Sequence, residues 1–240
     1  MSRRKARGLV GVLVALFLLA YVAAFGLPWS NAGAFHGVPA LTVISAPDDP
    51  RLPVVEEAVQ FWNRTFDEAG ASFRLGTIHR VLGQVREADL QVLSELQLPL
   101  LSGWSVRGAA LGRWVRHHPR PFETFEGDLL IVLSSSANFI SFSSRIGDRR
   151  LVAIRSAHTE PVVLGNRVDP LTRPNVLRNV IAHELGHAIG LAHNSDPTTL
   201  MCGRPAPCRP DIYVSDQPRF FPLTDSDRGR LRRLYATHQP

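Results

Sequence analysis

Three histidines and one acid lie in a single short segment, and their types and spacing suit metal chemistry. If the segment begins as a helix, His183 and His187 are one turn apart, about 6 Å along the axis, and both imidazoles leave the same face. Gly190 allows the chain to leave the helix because glycine readily adopts positive φ, so that His193 can return to the same point. Three neutral imidazoles leave the fourth position of a tetrahedral zinc ion open for water, as in catalytic sites. We predict that Glu184 reaches this water as general base.

The motif HELGHAIGLAH at residues 183–193 resembles the HExxHxxGxxH signature of the metzincin zinc endopeptidases. Met201 follows the last histidine by eight residues, where the methionine of the metzincin Met-turn lies. The residues that lead from the motif to Met201 are most similar to those of the matrixin branch. This resemblance implies that the three histidines bind one zinc ion, that the acid of the motif is catalytic, and that Met201 lies under the metal as an apolar floor.

The resemblance also implies a fold of the α+β class. It would be a metzincin-like catalytic domain with a twisted mixed sheet, an active-site helix and a C-terminal helix. Local patterns agree, and they predict strands at residues 41–45, 73–81, 128–134, 151–155 and 161–164, with helices at 53–69 and 174–189. Thr172 is the predicted cap of the active-site helix and Pro174 its first residue. A Thr-Asp-Ser-Asp sequence at 224–227 predicts the start of the C-terminal helix.

The N-terminal region begins with four basic residues and continues with nineteen uncharged residues at 9–27. This length favours one hydrophobic helix that remains as an anchor with its positive end inside. The alternative is a signal peptide cleaved at Ala32-Gly33-Ala34, which has the A-x-A pattern. The anchor predicts a single-pass protein of the cell membrane with its catalytic domain outside, and cleavage predicts a secreted protein.

The chain therefore divides into a signal-anchor or signal peptide at 1–34, a linker at 35–40, and a matrixin-like domain at 41–240. The domain carries an insertion at about 83–127, which is longer than the matrixin pattern needs between two strands. Glu87–Leu96 has the spacing of a short amphipathic helix. Residues 104–120 mix tryptophans with arginines and histidines, either as a patch for an acidic partner or lipid surface or as an ordinary solvated face.

The formal charge of +6 and the pI near 10.3 raise the question of nucleic-acid binding. Four of the basic residues precede the uncharged run, and the remainder of the chain has 23 basic and 21 acidic residues. These are interspersed and form no recognised motif, so we predict no nucleic-acid partner.

The resemblance to metzincins also suggests how a peptide would bind. In that family an antiparallel edge strand above the zinc pairs with an extended substrate. We expect strand 151–155 to be this edge, with four cleft-lining residues: Val152, Ala153, Ile154 and Arg155. Pro210 and Tyr213 are expected to form the wall of the pocket for the residue after the scissile bond.

Cys202 and Cys208 are the only cysteines of the chain. In an exported domain they would meet an oxidising environment, so we predict a local disulfide that closes a short loop after Met201. The alternative is two unpaired thiols.

The resulting functional prediction is an extracytoplasmic zinc endopeptidase that hydrolyses a peptide or protein substrate, with a membrane as a further partner if the N-terminal helix is retained. Two alternatives remain open at this point. One is a catalytically silent zinc domain that binds protein, and the other is a zinc amidase acting on an envelope polymer.

Overall fold

A computed structural model gives the structure of the protein and describes residues 34–96, 122–158, 168–203, 215 and 217–236. The predicted N-terminal helix, the aromatic and basic segment at 104–120 and the predicted strand at 161–164 lie outside these residues. Within the part of the chain that is described, no helix is long and apolar enough to cross a membrane.

The described chain forms two strand–helix units, then three consecutive strands, and ends in two helices. The strands are β1 (Leu41–Ser45), β2 (Ile78–Leu82), β3 (Leu129–Leu133), β4 (Phe142–Ile146) and β5 (Arg149–Ile154). The α-helices are α1 (Leu52–Glu68), α2 (Glu87–Leu96), α3 (Pro174–Ala188) and α4 (Asp225–Tyr235), and a 3-10 turn, Pro170–Thr172, precedes α3. The helix predicted within the expected insertion is confirmed as α2, with the bounds given above.

The five strands form one mixed sheet in the order β2-β1-β3-β5-β4. β1 pairs with β2 and β3 in parallel, β3 pairs with β5 in parallel, and only β4 runs antiparallel. All residues of β1 and β3 are buried, as expected for central parallel strands that are covered on both faces. The structure thus agrees with a mixed α+β sheet fold of metzincin type.

Two apolar clusters cover the two faces of the sheet. The larger lies between the sheet and α1, α3 and α4, and its most buried members include Trp62, Phe66, Ile181, Leu185 and Leu231. The smaller lies on the opposite face, where Leu90 and Leu93 of α2 contact residues of the sheet. The insertion helix therefore supplies part of the core.

One prediction about the sheet was wrong. Strand 151–155 was expected at the edge, but β5 lies between β3 and β4 and both of its sides are paired. The edge strand on this side is β4, which the sequence analysis did not find because its residues, FSSRI, alternate weakly in hydrophobicity. The short turn at Gly147 (φ 59°) joins the two strands as a hairpin.

The ends of α3 and α4 differ in how well the sequence predicted them. Arg173, rather than Thr172, is the N-cap of α3, because Thr172 ends the preceding 3-10 turn, and Pro174 takes the first helical position as expected. α4 begins with a complete capping box between Thr224 and Asp227, as its sequence predicted.

Candidate metal centre and catalytic site

α3 carries the first two histidines and is fixed in the larger apolar cluster. Its buried face includes Ile181, Ala182 and Leu185, and the Trp62 indole on α1 donates a hydrogen bond of 2.9 Å to the carbonyl of Ala182. This bond lies one residue before His183, so α1 fixes the rotation of α3 where the histidines project.

The chain leaves α3 through a turn that needs glycine. Gly190 has φ 101°, and the N–H of Leu191 closes the turn on the carbonyl of Gly186 at 2.9 Å. Carbonyls at this helix end accept from side chains on other elements: Tyr235 Oη donates to Ile189 at 2.9 Å, and Arg230 Nε donates to Gly190 at 2.7 Å. Cationic donors at a helix C-terminus also complement its dipole.

The three histidines converge on one point. The Nε2 atoms of His183 and His187 are 3.1 Å apart, those of His187 and His193 are 2.9 Å apart, and those of His183 and His193 are 3.2 Å apart. The other ring nitrogens of the helical pair face carbonyls: His183 Nδ1 lies 2.7 Å from Leu200 O, and His187 Nδ1 lies 2.9 Å from Leu191 O. A carbonyl accepts only, so these Nδ1 atoms carry the protons and the Nε2 lone pairs face one another.

This donor set fits a divalent metal ion. Three lone pairs so close repel one another unless a cation lies between them, and nitrogens about 2.0–2.1 Å from a tetrahedral zinc would be about 3.3 Å apart. Burial, together with the nearby His193, lowers the pKa of His187 to about 4, although the Leu191 carbonyl acts in the opposite direction. Burial also lowers the pKa of His193. The imidazoles of His187 and His193 are therefore neutral at physiological pH, as metal binding requires.

Met201 lies behind the histidines and is fully buried. A β-carbon built on Gly186 would lie 2.5 Å from its sulfur and 2.9 Å from Trp62 Cζ2, so the methionine packs directly on the helix backbone between the two histidines. The backbone of the loop holds it there, because Asn194 N–H donates to Met201 O at 2.8 Å.

We expect Gly186→Ala to destabilise the protein by about 1–3 kcal/mol, since the added methyl group overpacks the contact between α3 and Met201. Alanine's higher helix propensity, worth up to about 1 kcal/mol, offsets only part of this. Gly229→Ala in α4 is the matched control: its methyl group would meet only Arg233 Nη1 at 3.4 Å and Arg232 Nη2 at 3.9 Å, so it should stabilise the protein. Urea unfolding midpoints test both changes. A Gly186→Ala protein as stable as the wild type would contradict the close packing.

Glu184 is buried beside the three converging histidines, with 9% of its surface exposed. Burial raises the pKa of Glu184 to about 8 in the metal-free protein. The backbone N–H of Ser143 on β4 donates a hydrogen bond to its carboxylate, which acts in the opposite direction. The carboxylate therefore lies between α3 and the edge strand.

Two residues outside the motif also hold the third histidine in place. Asn194 Nδ2 donates to Asp227 Oδ2 at 3.0 Å, and the same carboxylate oxygen accepts from the hydroxyl and the backbone N–H of Thr224. Asp227 thus caps α4 and fixes the residue next to His193. The signal in the sequence was the capping box, but nothing local links it to the motif.

The structure buries three of the four predicted cleft residues and pairs the fourth with an acidic residue. Val152, Ala153 and Ile154 are fully buried within the sheet. Arg155 forms a two-pronged ion pair with the buried carboxylate of Asp169, at 2.6 and 2.9 Å. Ser143 on β4 is the strand residue that contacts the candidate base, and sequence reasoning missed it because β4 itself was not predicted.

Three further predicted residues lie outside the described part of the chain: Pro210, Tyr213 and Cys208. Cys202 is described and buried, directly after Met201. The wall of the specificity pocket and the disulfide remain predictions.

A mixed sheet packed on a helix that bears two of three converging histidines, with a methionine beneath them, defines a domain of the metzincin class. The family model for matrixin matches residues 109–236, slightly more than half of the chain. The chain belongs to the matrixin family, as its motif predicted.

Similar proteins include two curated relatives and one solved structure. The chain is 41% identical over 57 residues to human matrix metalloproteinase-27 and 39% identical over 57 residues to the Tupaia belangeri protein of that name. These matches cover 24% of this chain and 10% of each relative. A zinc-dependent peptidase from Methanocorpusculum labreanum has 14% identity and a TM-score of 0.39, with 80% of this chain and 100% of that chain covered.

Proposed function

We propose that this matrixin-family protein is a zinc-dependent endopeptidase in which His183, His187 and His193 hold one zinc ion and Glu184 is the general base. The convergence of three imidazole nitrogens within 2.9–3.2 Å of one another is the observation that carries the proposal. When bound there, zinc would supply a water of lowered pKa and a Lewis acid for the scissile carbonyl.

Glu184 performs the proton transfers. Its carboxylate takes a proton from the attacking water and then donates it to the departing amine, which requires one group that changes between acid and base. The Ser143 N–H orients the carboxylate and favours its ionised form.

The edge strand β4 supports a peptide substrate. Among the described strands β4 pairs only with β5, so it forms the edge of the sheet on the side of Glu184. An extended peptide could add to this edge as a further strand and lie across the histidine cluster. This proposal transfers to β4 the substrate-binding role that was expected of residues 152–155.

We further propose that the enzyme acts outside the cytoplasm, with residues 1–34 as its anchor or signal peptide. The charged start and the uncharged run at 9–27 support this location.

The activity is tested by incubating the zinc-loaded protein with an unstructured protein and mapping the products by mass spectrometry. We expect internal peptide bonds to be cut, the cleavage to stop with 1,10-phenanthroline, and zinc to restore it. Absence of cleavage by fully loaded protein, with turnover of envelope polymer in a parallel assay, would favour the amidase instead. Absence of both activities would favour the silent binding domain.

A further inference from the structure

The insertion helix α2 is bonded directly to the loop that leads into the edge strand. The hydroxyl of Ser94 donates to the carbonyl of Ile140 at 3.1 Å and accepts from the N–H of Ile140, also at 3.1 Å. Ser94 is only 6% exposed, so a buried side chain of α2 holds both backbone groups of Ile140.

Further contacts attach the same loop to α2. Asn138 Nδ2 donates to Glu87 Oε1, in the first turn of α2, at 2.9 Å. Phe139 and Phe142, with ring centroids 6.1 Å apart, belong to the apolar cluster of Leu90 and Leu93. The loop at 138–142 is thus fixed to the insertion by side chains at both ends and in the middle.

This loop continues directly into the site. Ile140 precedes Ser143 by three residues, and the Ser143 N–H contacts the carboxylate of Glu184. On the sheet side, Phe142 is in register with Ala153, and Ser141 Oγ accepts from the N–H of Arg155 at 3.2 Å. An edge strand has a neighbouring strand on one side only, so its position depends more than that of a central strand on such side-chain bonds.

We propose that the insertion helix α2 fixes the position of the substrate-binding edge, and that Ser94 is a positioning residue that acts through Ile140 on β4. The inference rests on the proposed function only in assigning substrate to β4. The physical connection from Ser94 to the edge is independent of that assignment. The chain thus uses its insertion for a role in the site as well as for covering the sheet.

A purely structural role for Ser94 predicts something different. In that case loss of the hydroxyl would lower overall stability, and β4 would exchange its amide hydrogens no faster than the rest of the sheet. A positioning role predicts a local effect, because the N–H and C=O of Ile140 lose their partner on α2 and the start of β4 loses its attachment.

The test compares Ser94→Ala with Ser45→Ala by hydrogen exchange and kinetics on the full-length protein. Ser45 is a similarly buried serine whose hydroxyl, among the described residues, donates to the adjacent carbonyl of Ala46 at 3.0 Å, so it controls for the loss of a buried hydroxyl. Asn138→Ala, which removes the bond to Glu87 at the surface, is a second variant with little risk to folding.

For Ser94→Ala we expect amide exchange in residues 139–146 to accelerate about 5- to 30-fold, with α1 unchanged. For a long peptide substrate we expect KM to rise about 2- to 30-fold while kcat changes little. Asn138→Ala should raise the exchange rate and KM by smaller factors, and Ser45→Ala should change neither the exchange rate at 139–146 nor KM. Unchanged exchange at 139–146 in Ser94→Ala and Asn138→Ala would overturn the inference, whether or not the protein cleaves peptides. Faster local exchange in these variants, together with no peptide cleavage by the wild type, would refute only the proposed function.

Discussion

Glu184→Gln is expected to lower kcat by about 10²- to 10⁴-fold while the protein still binds zinc, because the amide cannot accept the proton of the attacking water. Glutamine has nearly the same shape and keeps an oxygen that can accept from the Ser143 N–H, so the contact between α3 and β4 survives. The three imidazoles are unchanged, and the loss should therefore appear in kcat rather than in metal content.

Kinetics and elemental analysis of the same preparations measure this change. Glu56→Gln is the control, since this acid is exposed on α1 and pairs with Arg80 on β2, far from the histidines along the chain. It should retain full activity. Activity of Glu184→Gln within tenfold of the wild type, at full zinc occupancy, would exclude this residue as the base.

The metal-free form of the same variant provides a check on the environment of Glu184. Burial raises its pKa to about 8, whereas an unfolded glutamate ionises near about 4.3. Between these values the folded state binds more protons than the unfolded state, so its stability falls as pH rises. Glutamine does not titrate. The free energy of unfolding of the metal-free variant, relative to that of the metal-free wild type, should therefore rise from pH 4 to 8 by on the order of a few kcal/mol. If the difference in urea midpoint between the variant and the wild type were the same at pH 5 and pH 8, the raised pKa would be contradicted.

His193→Ala is expected to weaken zinc binding more than about 100-fold, since even the loss of an outer-shell partner costs 10- to 100-fold. Two imidazoles remain on α3, but the ion loses the ligand that the turn at Gly190 brings back. Peptide cleavage should fall below detection at zinc concentrations that saturate the wild type.

Competition with a zinc chelator of known affinity measures this loss. His79→Ala is the matched control because His79 is exposed on β2 and is not part of the cluster. It should bind zinc as the wild type does. If His193→Ala held zinc with unchanged affinity, the third ligand would have to be another residue.

The site was predictable from sequence where its geometry is local. The spacing of His183 and His187 determines a shared helix face, and Gly190 marks the turn, so these positions follow from helix geometry alone. Their Nδ1 partners were not predictable because Leu200 and Leu191 contribute only carbonyls, which every residue has.

The order of the strands was the least predictable part of the fold. The buried parallel strands β1 and β3 are mostly apolar and were predicted within one residue at each end. Residues 151–154 of β5 are also apolar, and their sequence does not reveal that a weakly patterned strand, β4, covers their outer side. The strand that contacts Glu184, β4, is therefore known only from the tertiary structure, and so is the contact of the predicted helix α4 with the residue next to His193.

The carboxylate of Asp227 joins the capping of the last helix to the loop of the third ligand. Leu200, whose carbonyl faces His183, also donates its N–H to the carbonyl of Pro222, just before that helix. By thermodynamic linkage, an ion that orders His193 also favours the docked C-terminal helix, and undocking of the helix weakens the ion's binding by the same factor. Metal occupancy and protection of the C-terminal segment from proteases should therefore rise and fall together.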